Sequence, residues 1–420
     1  MRRILGLAGL VLVALIWPHT TSAQTSADAV EDSLIHLTAR MDSLSAQLGQ
    51  TREIIQQQQQ MIDVLMQQQA ARSTAGISRS AAAPQQASNR LNPNISLVSD
   101  FRGRMGRDFS SDVRAFTLQE TEIGIQAPVD PFARADAFLS LSPEGIEVEE
   151  GYITFQALPL GLQAKVGKFR SKFGKFNQTH GPETIFSDRP LASEAFFGEE
   201  GLAGVGTSLS LLISNPWIYL NLDAEITALP EEAPVFSDVD PTSGEYIAGG
   251  RRQDLMYLTR LETYVDLNES SNLLFGGTYA TGVHDAAGDL RTHLESGDMT
   301  FRWRPLRRAV YHSLLWRTEV MFGQLKQPDG GTVNRVGLFS YIDLQFKRRW
   351  HLGERYDYTQ FSDVPGPDEQ GILGLLTFTP SEFSLLTVQA RGVRRADGSW
   401  HGVGMMKITF NIGPHGTHPF

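Results

Sequence analysis

The sequence predicts an all-β protein: a transmembrane, antiparallel, up-and-down β-barrel of about 16 strands, preceded by an N-terminal α-helical coiled coil. Three observations predict the barrel. Apolar and polar residues alternate from Ile95 onward, the alternating runs are often roughly 10–14 residues long, and short connections alternate with long ones. Strands of ordinary sheets average about 5–6 residues, whereas a strand that crosses a bilayer needs roughly 9–11.

The N-terminal residues form the first predicted segment. Arg2 and Arg3 precede an apolar run that ends at Trp17, and small residues stand just before Gln24. This order is typical of a secretory signal peptide over residues 1–23, and the apolar run is too short for an ordinary membrane-spanning helix. An uncleaved N-terminal anchor is the alternative. Either interpretation places the rest of the chain outside the cytoplasm.

A coiled coil is predicted over residues 26–70, because apolar residues recur there every seven positions for about five heptads. One seam contains Leu34, Met41, Leu48, Ile55 and Ile62. Residues 71–94 are small, polar and contain proline, which predicts a flexible linker without a core of its own. The barrel is expected over residues 95–413, and residues 414–420 form a polar tail.

The alternation in the barrel region assigns side chains to two faces. In "GMMKITFNI" (404–412), the apolar residues are expected to face lipid, and Lys407 and Thr409 are expected to face inward. An even strand number puts both barrel ends on the side of the short turns. The coiled coil is therefore expected in the periplasm and the barrel in an outer membrane of the Gram-negative type. A barrel of 16–18 strands leaves an aqueous channel.

Composition argues against several other functions. The formal net charge of −10 and pI near 5.5 are unfavourable for nucleic-acid binding, and the absence of cysteine removes disulfides and thiol chemistry. Strict alternation would send Glu149 and Glu150 to opposite faces, so they are not expected to act as an acid–base pair. His415 and His418 could bind a metal ion, but a polar tail is the favoured interpretation. We therefore expect no enzymatic activity, no cofactor and no metal.

Residues 171–202 form a long connection that we expect to fold into the barrel as a constriction loop, because it contains several phenylalanines. Its charges are segregated, with Arg170, Lys172 and Lys175 early and Glu183, Asp188 and Glu194 late. Opposed basic and acidic sides would create a transverse field that selects solutes by charge. A solvent-exposed loop is the alternative. Arg134 on the third predicted strand and Lys165 on the fifth are expected to face the lumen.

The stretches "VGKFRSKFG" (166–174) and "FSDRP" (186–190) resemble the phosphate-selective porin O/P-like family of outer-membrane proteins, and the resemblance covers mainly residues 150–215. It implies a trimeric, 16-stranded, anion-preferring channel. It also implies that five cationic residues contact anions: Lys165, Lys168, Arg170, Lys172 and Lys175.

Two functions follow as hypotheses. The first is passive diffusion of small hydrophilic solutes, anionic and phosphate-like, through a homotrimeric outer-membrane porin in contact with lipid. The second is structural: the coiled coil would reach the cell wall and tether the membrane to it. Five heptads at 1.5 Å per residue span roughly 50–60 Å. An energy-coupled transporter is disfavoured, because about 22 strands and a plug exceed the chain that remains after the linker.

Overall fold

The computed structural model describes residues 93–106, 115–143, 145–215, 218–229, 233–239, 246–248, 254–285, 289–360 and 368–413. The predicted signal peptide, coiled coil and C-terminal tail lie outside the described residues, as does nearly all of the predicted linker. None of the helices in these ranges is long and apolar enough to cross a lipid bilayer.

Sixteen antiparallel strands form a closed barrel in which successive strands pair and the first pairs with the last. The predicted architecture of the barrel is thereby confirmed. The barrel strands are β1 (Asn94–Gly106), β2 (Phe116–Pro128), β3 (Ala133–Ser142), β4 (Gly145–Phe155), β5 (Leu162–Arg170), β6 (Ala203–Leu212), β7 (Tyr219–Ala228), β10 (Leu255–Asn268), β11 (Ser271–Val283), β12 (Arg291–Trp303), β13 (Ser313–Lys326), β14 (Thr332–Lys347), β15 (Trp350–Thr359), β16 (Glu369–Ser381), β17 (Ser384–Arg394) and β18 (Trp400–Ile412). Two further strands, β8 (Ser237–Val239) and β9 (Tyr246–Ala248), pair as a separate hairpin between β7 and β10.

The two faces of the barrel differ in polarity as the alternation predicts. On β18, Lys407 and Thr409 are buried inside, whereas Phe410 and Ile412 are exposed on the outside. Exposed apolar side chains recur on the outer faces of other strands, including Val205, Phe275, Phe322, Ile372 and Val388. A continuous apolar exterior around a charged interior is the polarity of a barrel that stands in lipid.

Strand β4 departs from simple alternation through a β-bulge. Phe138 of β3 pairs with Glu150, but the next residue, Leu139, pairs with Val148, so Glu149 is the extra residue. A bulge lets consecutive side chains share a face, and Glu149 and Glu150 are both buried inside the barrel. The expectation that they lie on opposite faces is wrong, because it assumed an unbroken period of two.

The hydrophobic core lies in the lumen. The connection between β5 and β6 carries the short helix α1 (Leu191–Phe197) and two single turns of 3-10 helix. Five of its phenylalanines are almost fully buried: Phe173, Phe176, Phe186, Phe196 and Phe197. They pack against inward-facing apolar residues of β13–β16, namely Met321, Phe339, Tyr341, Leu373 and Leu375. Truncation of such a residue costs about 3–5 kcal/mol, so this apolar cluster stabilises the loop inside the barrel.

Candidate functional site

The candidate site is the segment 171–202, here called the lumenal loop, together with the wall residues that hold it. Asn177 closes its base: the side-chain amide donates hydrogen bonds to the carbonyls of Ser171 and Leu202, each at 2.8 Å. Its Oδ1 atom accepts the N–H of Leu202 at 2.8 Å. Both ends of the loop are thus joined by one side chain.

The first half of the lumenal loop turns at Gly174, whose φ of 63° lies in the left-handed region. The turn aims successive backbone N–H groups at one wall carboxylate. Glu319 of β13 accepts the N–H of Lys175 at 3.0 Å and that of Phe176 at 3.2 Å. A Cβ atom at position 174 would lie 1.9 Å from Glu319 Oε1, so glycine is required both for the turn and for this close approach.

The basic side chains of the lumenal loop pair with acidic side chains of the wall. Lys172 Nζ lies 2.5 Å from Asp223 of β7, and Lys175 Nζ lies 3.7 Å from Glu262 of β10. Burial lowers the pKa of Lys175, whereas Glu262 raises it. The early basic half of the loop therefore rests on an acidic sector of the wall, where its charge is largely compensated.

The acidic second half shows the reverse arrangement. Asp188 accepts hydrogen bonds from Arg355 of β15 at 3.0 Å and from Gln389 of β17 at 2.8 Å, and it pairs with Arg391. Burial alone would raise the pKa of Asp188, but the two arginines hold it below its usual value. Asp188 in the second half of the loop thus meets cations of the wall, whereas Lys172 and Lys175 in the first half meet carboxylates.

Lys407 of β18 fixes the middle of the lumenal loop. Its fully buried ammonium donates to the carbonyl oxygens of Gly181, Thr184 and Phe186 at 3.0, 2.8 and 3.2 Å. Asp100 of β1 lies 3.5 Å away and supplies a counter-charge. The loop thus contacts the wall on strands from opposite sides of the barrel and crosses the lumen.

His180 lies in an acidic cluster on the same side of the lumen as Lys407, because its partners are on β2 and β4 and β1 pairs with both β18 and β2. Its Nδ1 atom is 2.8 Å from Glu122 Oε2 and 2.9 Å from Glu149 Oε2, and its Nε2 atom is 3.1 Å from Glu150 Oε2. Burial alone would lower the pKa of His180, but the three carboxylates raise it well above 6.5. Arg170 pairs with Glu149 at 2.8 Å.

The residues predicted to contact anions fall into three groups by environment: cations held in ion pairs, cations that face the lumen, and Lys168, which faces outward. Arg170 and Lys175 are buried in ion pairs, and Lys172 is partly buried in one. Lys165 faces the lumen with Nζ 4.0 Å above the ring of Tyr152, and Arg134 faces it with 42 % of its side chain exposed beside Asp136.

Lys168 does not face the lumen. It pairs in register with Val205, which is exposed on the outer face, and its ammonium contacts Glu147 at 3.2 Å. The family resemblance predicts that Lys168 contacts anions with the other four cations. The alternation of side chains along β5 instead directs Lys168 to the outer face. Of the expected acidic residues, Glu183 is half-buried at a turn of the loop and Glu194 is exposed on α1.

Arg189 is the lumenal cation that our reading of the sequence missed. Its Nε and Nη2 atoms are buried and have no hydrogen-bond partner among the described residues, and its guanidinium carbon lies 5.5 Å from the centre of the Phe176 ring. Burial, together with Arg170, lowers the pKa of Arg189 to about 10. Arg189 belongs to the motif "FSDRP", so the sequence could have pointed to this residue. Its lack of hydrogen-bond partners depends on the fold and could not be predicted from the motif.

A polar cavity of about 380 Å³ opens beside Lys172. Its lining includes Gln163, Asn221, Asp223 and Tyr219 from β5 and β7. Some lining residues flank the short turns at 158–161 and 213–218, so the cavity lies on the short-turn side of the lumenal loop. It is water-accessible space next to the loop, bounded by amide, hydroxyl and charged groups.

Comparison with solved structures places the barrel among porins by fold. The anion-selective porin of Comamonas acidovorans superposes with a TM-score of 0.52 at 10% identity, over 76% of this chain and 99% of that protein. OprB of Pseudomonas putida superposes with a TM-score of 0.51 at 10% identity, over 77% and 95%. At this identity the likeness concerns the fold alone. No protein-family model matches the sequence.

A relative is recognised by sequence as well. An uncharacterized protein of Aquifex aeolicus (strain VF5) is 30% identical over 383 residues, which cover 78% of this chain and 80% of that protein. The alignment covers more than three quarters of the chain, so the similarity is not confined to a single motif. The chain belongs to the same family as this Aquifex aeolicus protein, and its closed 16-stranded barrel has the porin fold.

Proposed function

We propose that the protein is an outer-membrane porin that lets small hydrophilic solutes diffuse passively across the membrane. The observation that carries this proposal is a closed 16-stranded barrel with an apolar exterior, a charged lumen and one long loop fixed inside it. A barrel of this strand number encloses an aqueous passage, and a loop held within it narrows that passage. The porin fold of the compared structures supports the same conclusion.

We also propose that the channel selects for anions, including phosphate-like anions. Arg134 and Lys165 flank Thr154 in the strand register, so two cations face the lumen about 10 Å apart across two strand spacings. Arg189 lies within the lumenal loop, but its donors without partners among the described residues are buried and do not reach the passage. We assign anion contact to Arg134 and Lys165. Arg134 also pairs with Asp136, at 2.7 Å, but 42 % of its side chain stays exposed. Arg170, Lys172 and Lys175 act instead as anchors of the loop, because wall carboxylates hold their charges and their side chains are more deeply buried.

The assembly and location complete the proposal. The barrel would stand in the outer membrane as a homotrimer, with both ends of the barrel and the N-terminal heptads in the periplasm. A second candidate function, tethering of the outer membrane to the cell wall, is favoured by the heptad repeat over residues 26–70. The two functions are compatible, since one belongs to the barrel and the other to the helical segment.

Reversal potentials of the purified protein in planar bilayers test the anion preference. Under a KCl gradient we expect the wild-type channel to favour chloride and the Arg134→Glu/Lys165→Glu variant to lose or reverse that preference. The effect should shrink from 0.1 M to 1 M salt, because the Debye length falls from about 10 Å to about 3 Å. Lys168→Glu is the control, since it reverses a single charge on the outer face instead of two charges in the lumen. Equal permeability ratios in all three proteins would refute the selectivity assignment.

A further inference from the structure

The cluster around His180 has more negative than positive groups. Three glutamates, Glu122, Glu149 and Glu150, contact His180, whereas the cations that contact these carboxylates are Arg170 and, when protonated, His180 itself. The carboxylates that touch His180 are nearly inaccessible to solvent. Burying more carboxylates than cations raises the free energy of the folded state, unless a further positive charge binds among them.

One oxygen atom in this cluster lacks a hydrogen bond. Glu122 is 3 % exposed, and its Oε2 atom has no hydrogen-bond partner among the described residues although it lies 2.8 Å from His180 Nδ1. The Nδ1 atom is already within hydrogen-bond distance of Glu149 Oε2. A single proton on Nδ1 cannot serve both carboxylates equally, whereas a metal ion bound to Nδ1 could be shared by both.

We propose that His180 Nδ1, Glu122 and Glu149 form a binding site for a divalent transition-metal ion such as Zn²⁺. One ligand atom from each residue lies within 4.8 Å of the other two. One imidazole nitrogen and two carboxylate oxygens suit Zn²⁺ and its neighbours better than Ca²⁺ or Mg²⁺, which prefer oxygen alone. Ligand bonds of about 2.0–2.2 Å would separate tetrahedral ligands by roughly 3.4 Å, so the carboxylates need to move outward from Nδ1 by about half an ångström.

The surrounding residues already orient these ligands. His180 Nε2 lies 3.1 Å from Glu150 Oε2, which matches the carboxylate–histidine–metal arrangement in which the second ring nitrogen is held by a carboxylate. Arg170 donates to Glu149, and its backbone N–H donates to Glu150. The ring of Phe138 packs against the imidazole with ring centres 5.0 Å apart. A bound ion would tie the lumenal loop to β2 and β4.

Metal titration of the untagged, full-length protein in detergent tests the site without any transport measurement. The parent carries His415→Gln and His418→Gln, so that the tail histidines do not contribute. We expect one Zn²⁺ per chain by calorimetry at pH 7.5, and a visible absorption band with Co²⁺ that Zn²⁺ removes. Glu150→Gln should weaken binding about 10- to 100-fold, and His180→Gln and Glu122→Gln should weaken it more.

His351→Gln is the control, because that imidazole is bonded to Asp343 elsewhere in the wall. Folding of each variant is judged by its heat-modifiable migration on gels. If His180→Gln does not fold, the site is tested with Glu122→Gln alone. We expect that variant to fold, because it removes one negative charge from a cluster with an excess of carboxylates. Absence of saturable Zn²⁺ binding in the parent, or unchanged affinity in folded Glu122→Gln, would overturn the proposal and leave His180 as an imidazolium anchor. Neither result depends on whether the barrel conducts ions.

Discussion

At the scale of single residues, the lumenal loop is held by buried side chains that each meet a partner of opposite charge or a backbone dipole. Asp188 lies between Arg355 and Arg391. The Lys407 ammonium donates hydrogen bonds to three carbonyl oxygens of the loop. Removing one member of such a buried pair leaves the other uncompensated, which costs about 3–5 kcal/mol. The loop is therefore expected to keep one position rather than sample many.

Gly174→Ala tests the tightest of these contacts. A methyl group there would meet the Glu319 carboxylate and occupy a left-handed conformation, so we expect a loss of stability of at least about 1–3 kcal/mol. Thermal unfolding in detergent, followed by heat-modifiable migration, measures it. Gly374→Ala is the control, because a Cβ atom at that position has no neighbour within 4 Å. If the two variants are equally stable, the turn at Gly174 is not under the constraint described.

The residues of the site differ in how far the sequence could predict them. The period of two predicts that Lys165 and Lys407 face inward, because a charge in the lipid-facing row would be energetically unfavourable. The bulge at Glu149 could not be predicted, because one inserted residue leaves no mark in the composition of a strand. The contacts of His180 and Arg189 depend on the path of the lumenal loop, which no local pattern specifies.

At the scale of elements, each strand pairs with its neighbours along the chain and presents one row of side chains to each face. This regularity explains why the strand number follows from the sequence. The elements that were missed are short: α1 in the lumenal loop and the hairpin β8–β9. Both lie in long connections, where tertiary contacts decide the conformation and alternation gives no information.

Val388→Lys tests the outer face of the strands. Val388 lies in the middle of β17 and is exposed on the apolar exterior, and a lysine at mid-bilayer costs about 2–4 kcal/mol. We expect a clear loss of folding into lipid vesicles, measured as the heat-modifiable fraction. Ile412→Lys places the same charge at the end of β18, where the cost falls to about 0–1 kcal/mol. Equal folding of both variants would contradict the assignment of this face to lipid.

At the scale of the whole molecule, the sequence joins a heptad segment to a barrel. We expect the coiled coil to strengthen a trimer of barrels, so removal of residues 26–70 should leave a folded barrel but reduce crosslinked trimer. Chemical crosslinking of matched amounts of folded protein measures this. A truncated chain that crosslinks as completely as the full one would show that the barrel walls alone supply the association.

We expect the lumenal loop to narrow a conducting barrel. Single-channel conductance in planar bilayers tests it most directly, with the full chain compared with a variant in which a short Gly-Ser linker replaces residues 172–201. Heat-modifiable migration confirms that the variant barrel is closed. We expect steps of uniform conductance from the full chain and steps several-fold larger from the variant. A full chain that inserts without conducting, or a loop-deleted barrel with unchanged conductance, would contradict the account.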